Sequence, residues 1–367
     1  MVAQFSNTES FSLMFNDDFS EEKIQKYEAS LDILGNISVH SIDRNNISHE
    51  NLKKLYERIY LKRKNLKLVL SADNILDVSF LKDFKELEIL SMSVHGKIIN
   101  IDVLENLKNL KELHLDFHEQ EDLEFLWNVN PNLEKLTIAD SSKKKINLDL
   151  TPVSQFKNLK YLYLREYNKN IESAVSQLTK LETLALRSIS KPTNLDFISN
   201  LKNLKDLIVQ LGSFDDVSMV ATLKHIRFLQ LWRLAKLKNI DFVREMSELQ
   251  YLFIETLNGI TKFPNIENLH KLRRIQANVC KNLTDFSEIE KSKSLTDFVT
   301  QNATNNITDF IPILKNPHIK DLGIGYQKVA TQKEVEKLAQ QYNKEVKTYM
   351  YPKFKAMDCQ HFLGQFL

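Results

Sequence analysis

The chain has 367 residues, 50 Lys and Arg against 48 Asp and Glu, and a formal net charge of +2. So even a balance selects no polyanionic partner such as nucleic acid and no acidic substrate. Two cysteines, Cys280 and Cys359, exclude a disulfide scaffold, and no stretch approaches the roughly 18 uncharged apolar residues of a membrane span.

The N-terminal stretch MVAQFSNTESFSLMF lacks the basic n-region and long apolar h-region of a secretory signal, so the expected location is the cytoplasm. Two helices are predicted next. The first lies in DDFSEEKIQKYEASL, with Asp18 as N-cap and Glu21 three residues on; the second lies in SHENLKKLYERIYLK, opened by Ser48. Between them LDILGNISVHSI reads as a strand.

From residue 65 a period takes over. The pattern LxxLxL starts at Leu87, Leu110, Leu133, Leu159, Leu181, Leu204, Ile226, Leu249, Leu272, Leu295 and Ile319, at spacings of 22 to 26 residues. A blurred earlier copy begins near Asn65. In the copy from Leu87 the apolar positions continue through Leu90, Met92, Ile98, Ile101, Leu104 and Leu107, one residue per bend of a coil. A single coil buries too little apolar surface to offset the entropy of ordering it, so the copies must stack into one solenoid. Beyond residue 325 the period ends. TQKEVEKLAQQYN predicts a helix with a capping box of Thr331 and Glu334 and an apolar stripe through Val335 and Leu338, and VKTYMY a terminal strand.

The segments INIDVLENLKNLKELHL and NLDFISNLKNLKDLIV follow LxxLxLxxxxIxD and then FLxNLKNL. This resembles the leucine-rich repeats of the bacterial internalin type, over about residues 65 to 325. The resemblance implies an α/β solenoid: a leucine-rich-repeat horseshoe of about 11–12 coils with a parallel concave β-sheet and short helices or turns on the convex side. Residues 1–64 and 326–367 are then its caps. It also implies a scaffold that binds a protein partner, without shared catalytic chemistry and without a cofactor. One column departs from the family. Its ninth repeat position usually carries Asn, but here reads His95, His118, Ser141, Tyr167, Ile189, Gly212, Leu234, Leu257, Cys280 and Ala303. The turn carbonyls that the asparagines would serve must find other partners.

Asp102, Asp196, Asp241, Asp285 and Asp309 recur just before the convex segment and are expected as N-caps rather than metal ligands. His114 and His118 stand four apart, but on a strand and its turn, where the spacing that ligates zinc on a helix means nothing. His95 and His118 share a column and are expected to lie close. Asp358, Cys359 and His361 suggest a nucleophile, yet the roughly forty residues after the repeats are too few for the cysteine ligase domains that end some bacterial repeat proteins. SSKKKIN, residues 141–147, falls where one copy runs three residues long, and is expected as a solvated loop. Neither GxSxG, HExxH nor a phosphate-binding Gly-rich loop occurs.

Offsets two, four and six in each strand point away from the core. The first copies place Ile89, Ser91, Ser93, Glu112, His114 and Asp116 there. The middle copies place Tyr161, Tyr163 and Arg165, then Arg187, then Phe228 and Trp232 with Arg233 beside them. Tyr251, Phe253 and Glu255 follow, and then Arg274. Tyr, Trp and Arg are the hot-spot residue types, because each buries a large area and keeps a polar handle. The last strands offer Asp297, Gln301, Asp321 and Gly325 instead. The expected function is therefore binding of a protein partner across these middle strands, as an adaptor or, by analogy, as an immunity protein neutralising a toxin. A glycan- or nucleic-acid-binding surface is the alternative, since both ligands stack on aromatics.

Overall fold

A computed structural model describes residues 11–15, 20–40, 42–43, 48–139, 147–167 and 169–347. The chain divides into two compact units, one within residues 6–181 and one within residues 182–367.

In the first unit the strands are β1 (Phe11–Phe15), β2 (Leu34–Val39), β3 (Lys67–Ala72), β4 (Ile75–Asp77), β5 (Ile89–Val94), β6 (Lys97–Ile99), β7 (Glu112–Phe117), β8 (Lys135–Ala139) and β9 (Tyr161–Arg165). All but β4 and β6 pair in parallel, each with its successor. β4 and β6 form a small parallel sheet of their own. The core ladder runs Leu68, Leu90, Leu113, Leu136 and Leu162 in direct register, and every member is fully buried.

The same ladder begins before the sequence period does. Ile37 of β2 pairs with Leu68 of β3, 31 residues later. Longer connections hide the repeat there, because the helices α1 (Glu21–Ala29) and α2 (His49–Leu55) replace the short convex turns. Ser48 caps α2, accepting from the Asn51 N–H at 3.1 Å. The cap of α1 is Ser20, which accepts from Lys23 N–H at 3.3 Å; Asp18 lies outside the described residues. Glu28 beside Arg58 and Lys62 is held at a pKa of about 2 by those two hydrogen-bonding cations, which ties α1 to the turn after α2.

The second unit contains β10 (Thr183–Arg187), β11 (Asp206–Gln210), β12 (Phe228–Trp232), β13 (Tyr251–Glu255), β14 (Arg274–Asn278), β15 (Asp297–Thr300) and β16 (Asp321–Ile324), each parallel to the next. Leu184, Leu207, Leu229, Leu252, Ile275, Phe298 and Leu322 form its core ladder. Opposite the sheet, short helices are mostly single 3-10 turns such as Ser218–Thr222 and Asp241–Glu245. After the last coil, α3 (Val329–Gln340) buries Val335 and Ala339 and leaves Leu338 half-buried. It starts at Val329 after Lys328, so Thr331 lies inside the helix and forms no capping box with Glu334. Val346 and Lys347 form no strand, although Lys347 N–H donates to Leu322 O at 2.8 Å, and the rest of VKTYMY lies outside the described residues.

The convex helices begin differently from expectation. The capping side chain stands two residues before the first helical N–H: Asp77 accepts from Ser79, Asp122 from Glu124, Asp149 from Thr151 and Asp216 from Ser218. An Asx turn of this kind fits a tight 3-10 start, where a one-residue cap would not reach. Asp196 and Asp241 are therefore the served residues, their N–H groups donating to Asn194 and Asn239, and Asp102 lies within its helix. Asp285 does cap, accepting from Ser287, and Asp309 closes a capping box on Asn306.

Without an asparagine ladder at the ninth position, β10, β11, β12 and β13 each end in a left-handed residue whose N–H donates to the next coil. Ser188 (φ 57°) donates to Gln210 O at 2.8 Å, Leu211 (φ 56°) to Trp232 O at 2.8 Å and Thr256 (φ 51°) to Asn278 O at 3.0 Å. Asparagines elsewhere serve buried carbonyls: Asn316 donates to Ile289 O and Ser292 O, and Asn305 to Cys280 O and Leu283 O.

Candidate binding face of the sheet

In parallel strands held in register, residues of one offset stack about 4.8 Å apart. Each large side chain on the core-distal face is therefore covered from two sides by its neighbours. This crowding decides which predicted site residues are accessible.

In the first unit β9 presents Tyr161, Tyr163 and Arg165. Tyr163 is buried, while Tyr161 and Arg165 stay half-exposed. Burial, with the Tyr163 hydroxyl adding to it, pushes the Tyr161 phenol up to about 12. Arg165 Nε lies 3.9 Å from Glu166 Oε1. The strand beside them continues in polar fashion. Lys135, opposite Tyr161, pairs with Glu112 at 2.7 Å, and His114 Nδ1 lies 2.9 Å from Thr137 Oγ1. Burial would raise Glu112, but hydrogen bonds from His114 and Lys135 hold it down to about 2. His114 itself is pushed below its ordinary value, chiefly by burial.

The second unit holds the other predicted residues. Phe228 and Tyr251, in register on β12 and β13, pack with ring centroids 5.0 Å apart. They are only 1% and 2% exposed. Arg274 covers Tyr251 from the far side at 5.5 Å and is itself buried, and the Tyr251 hydroxyl donates to Gln276 at 2.8 Å. Phe228, Tyr251 and Arg274 thus cover one another and leave no room for a partner, against the expectation that Phe228 waits to be covered by one. Arg233 is exposed but stands just past β12 at φ 52°, which turns it out of the row.

What remains accessible is the half-exposed set Arg187, Gln210, Gln230, Trp232, Phe253 and Glu255. Its parts are held in place. Arg187 lies 5.1 Å over the Trp232 ring and donates to Gln210 at 2.9 Å, while Asn278 donates to Glu255 at 3.2 Å. Burial raises the Glu255 carboxyl above its usual range, against the Asn278 hydrogen bond and the charge of Arg233. Gln210, Gln276 and Asn278 were missed in the sequence. They occupy the same outward offsets as the aromatics, and that register was the signal that could have found them.

Asp297 and Asp321 are half-buried at the far strands. The rings of His95 and His118 sit 5.1 Å apart, with Asp73 at 4.0 Å from His95. Among the described residues no group of three or more His, Cys, Asp or Glu could hold a metal, and no helix is long and apolar enough to cross a membrane. Residues 141–146 of SSKKKIN, and Asp358, Cys359 and His361, lie outside the described residues.

These stacked coils are leucine-rich repeats. No protein-family model and no curated protein matches the sequence. Among solved structures, an internalin from Listeria monocytogenes matches at 20% identity and a TM-score of 0.52, covering 87% of each chain. Internalin C2 of the same species matches at 18% identity and 0.43, over 57% of this chain and 84% of its own. A leucine-rich-repeat protein of Leptospira interrogans matches at 18% and 0.41, over 86% and 96%. The first of these establishes the shared fold, the leucine-rich-repeat solenoid that the internalin-type motifs implied.

Proposed function

We propose that the protein is a non-catalytic scaffold that binds a protein partner on the core-distal face of its sheet. The observation that carries this reading is Trp232: a half-exposed hot-spot side chain whose ring is already fixed by Arg187, itself held by Gln210. Fixing these rotamers in advance lowers the entropy lost on binding. Phe253 and Glu255 on the next strand extend the same patch, and Tyr161 with Arg165 form a separate one in the first unit. The reading puts the protein in the cytoplasm, where sequestering a partner, as a toxin-neutralising immunity protein or an adaptor does, needs no chemistry beyond such a surface.

The test is capture of a partner from the native lysate, followed by titration of the purified pair. Trp232→Ala and Phe253→Ala should each weaken binding by about 30-fold, equivalent to about 2 kcal/mol, with melting temperatures unchanged. Full affinity in both variants would remove this patch as the site. If the lysate yields no protein partner, while free glycan or single-stranded nucleic acid binds through Trp232, the scaffold reading gives way to its alternative.

A further inference from the structure

The edge where the chain enters each strand carries a charge pattern that changes between the units. In the first unit the position two residues before the core leucine alternates in sign: Glu88, Lys111, Glu134, Lys160. Each lysine there pairs with the preceding glutamate, at 2.9 Å in both cases. Paired this way, the edge is neutral. In the second unit the pattern opens with Glu182 and Lys205, 2.7 Å apart. It then runs Arg227, Gln250, Arg273, Thr296 and Lys320, with no further acid. Three residues upstream the matching column adds Lys202, Lys224 and Lys293.

Little in the unit neutralises these cations. Arg227 leans on Asp206 at 3.1 Å, but Arg273 donates to the carbonyls of His270 and Ser294 instead of to a carboxylate. Lys202, Lys293 and Lys320 are exposed and make no ion pair among the described residues, and Lys224 reaches only Ala221 O. At about 4.8 Å per strand, Lys202 to Lys320 spans five steps, or roughly 24 Å. Parallel stacking puts like charges close together, which costs stability unless something offsets it.

We propose that this basic edge of the second unit docks an acidic protein surface, separately from the core-distal face and independently of the reading given for that face. Two features favour an acidic polypeptide over nucleic acid. The turns that lead into β11 to β16 carry no Phe, Tyr or Trp, so nothing stacks bases. Of the cations without a carboxylate partner all but Arg273, whose guanidinium is already held by two carbonyls, are lysines, diffuse point charges lacking the planar fork with which Arg grips phosphate. Such an edge steers a partner by its field, and its affinity falls as salt screens that field.

The experiment uses the full chain and two labelled probes, poly-L-glutamate and a 20-nucleotide oligothymidylate, read by fluorescence anisotropy. Polyglutamate should bind in 50 mM salt and weaken about tenfold or more in 300 mM. The triple variant Lys224→Glu, Lys293→Glu, Lys320→Glu should weaken it at least about tenfold again. The control Lys236→Glu, Lys238→Glu, Lys281→Glu makes the same charge change beyond the other strand ends and should alter it less than about twofold. Unchanged melting temperatures confirm that both variants fold. No binding of polyglutamate, or equal loss in the two variants, overturns the proposal. Tighter binding of oligothymidylate through the same three lysines also overturns it, in favour of a nucleic-acid edge.

Discussion

Asn316 and Asn130 make the same three hydrogen bonds in different surroundings. Asn316 donates to Ile289 O at 2.7 Å and Ser292 O at 2.8 Å, and accepts from His318 N–H at 2.8 Å. Asn130 donates to Lys108 O and Leu110 O, both at 2.9 Å, and accepts from Asn132 N–H at 3.1 Å. Asn316 is wholly buried, whereas Asn130 is half-exposed. Truncation to Ala removes equal bonds, so the difference measures desolvation alone. Water can reach the groups freed at Asn130, and each lost bond there costs a few tenths of a kcal/mol, about 1 in total. At Asn316 the Ile289 carbonyl keeps its turn bond from Ser292 N–H at 3.2 Å. Ser292 O is left without its amide in a dry site, which with the lost bonds brings the cost to about 3 kcal/mol. Asn316→Asp should cost more still, because a carboxylate would face two carbonyls. Urea unfolding of the full chain, followed by far-UV circular dichroism and checked for unchanged m-values, reads these differences. Equal destabilisation by Asn316→Ala and Asn130→Ala would refute the argument that burial sets the cost.

Phe228→Ala should destabilise the fold by about 3–4 kcal/mol, because the ring is buried between strands, whereas Phe253→Ala should stay within about 1 kcal/mol of wild type in the same assay. Val279, left-handed at φ 50° after β14, carries strain that Asn tolerates better, so Val279→Asn should raise stability by about 1 kcal/mol; a loss would show that its contacts outweigh the strain. Glu112, depressed to about 2 in the folded chain, contributes stability that is complete above its ordinary carboxylate range and is lost as pH falls towards 2. Since its cation is half-exposed, Lys135→Met should shrink that contribution by only about 1 kcal/mol, seen as an acid-unfolding midpoint displaced to higher pH. Cys280, 2% exposed with its thiol pushed up to about 11 by burial, should react with a thiol reagent in a Cys359→Ser background only as fast as the second unit opens.

The repeat was written in the sequence because a coil has one inward position per bend, and only apolar residues can fill it. Leu229 and Leu231 therefore declared both the strand and its register. Before residue 65, LDILGNISVHSI announced β2 as a strand, but its place in the ladder and the whole of β1 were invisible, since helical connections stretch the interval from Ile37 to Leu68 past the period. The caps were displaced for a similar reason: whether Asp196 caps or is capped depends on a turn geometry that differs by one residue. At the binding face the outward offsets were legible, but accessibility was not. Phe228 and Trp232 lie on one strand with one alternation, and only the neighbouring strands separate them. Tyr251 closes over Phe228 and Arg274 over Tyr251, while Glu255 beside Trp232 leaves that ring half-open. Alternation along a strand is a local property that the chain alone determines. Burial on the outer face is set by side chains stacked from coils more than twenty residues away, and only the assembled sheet decides it.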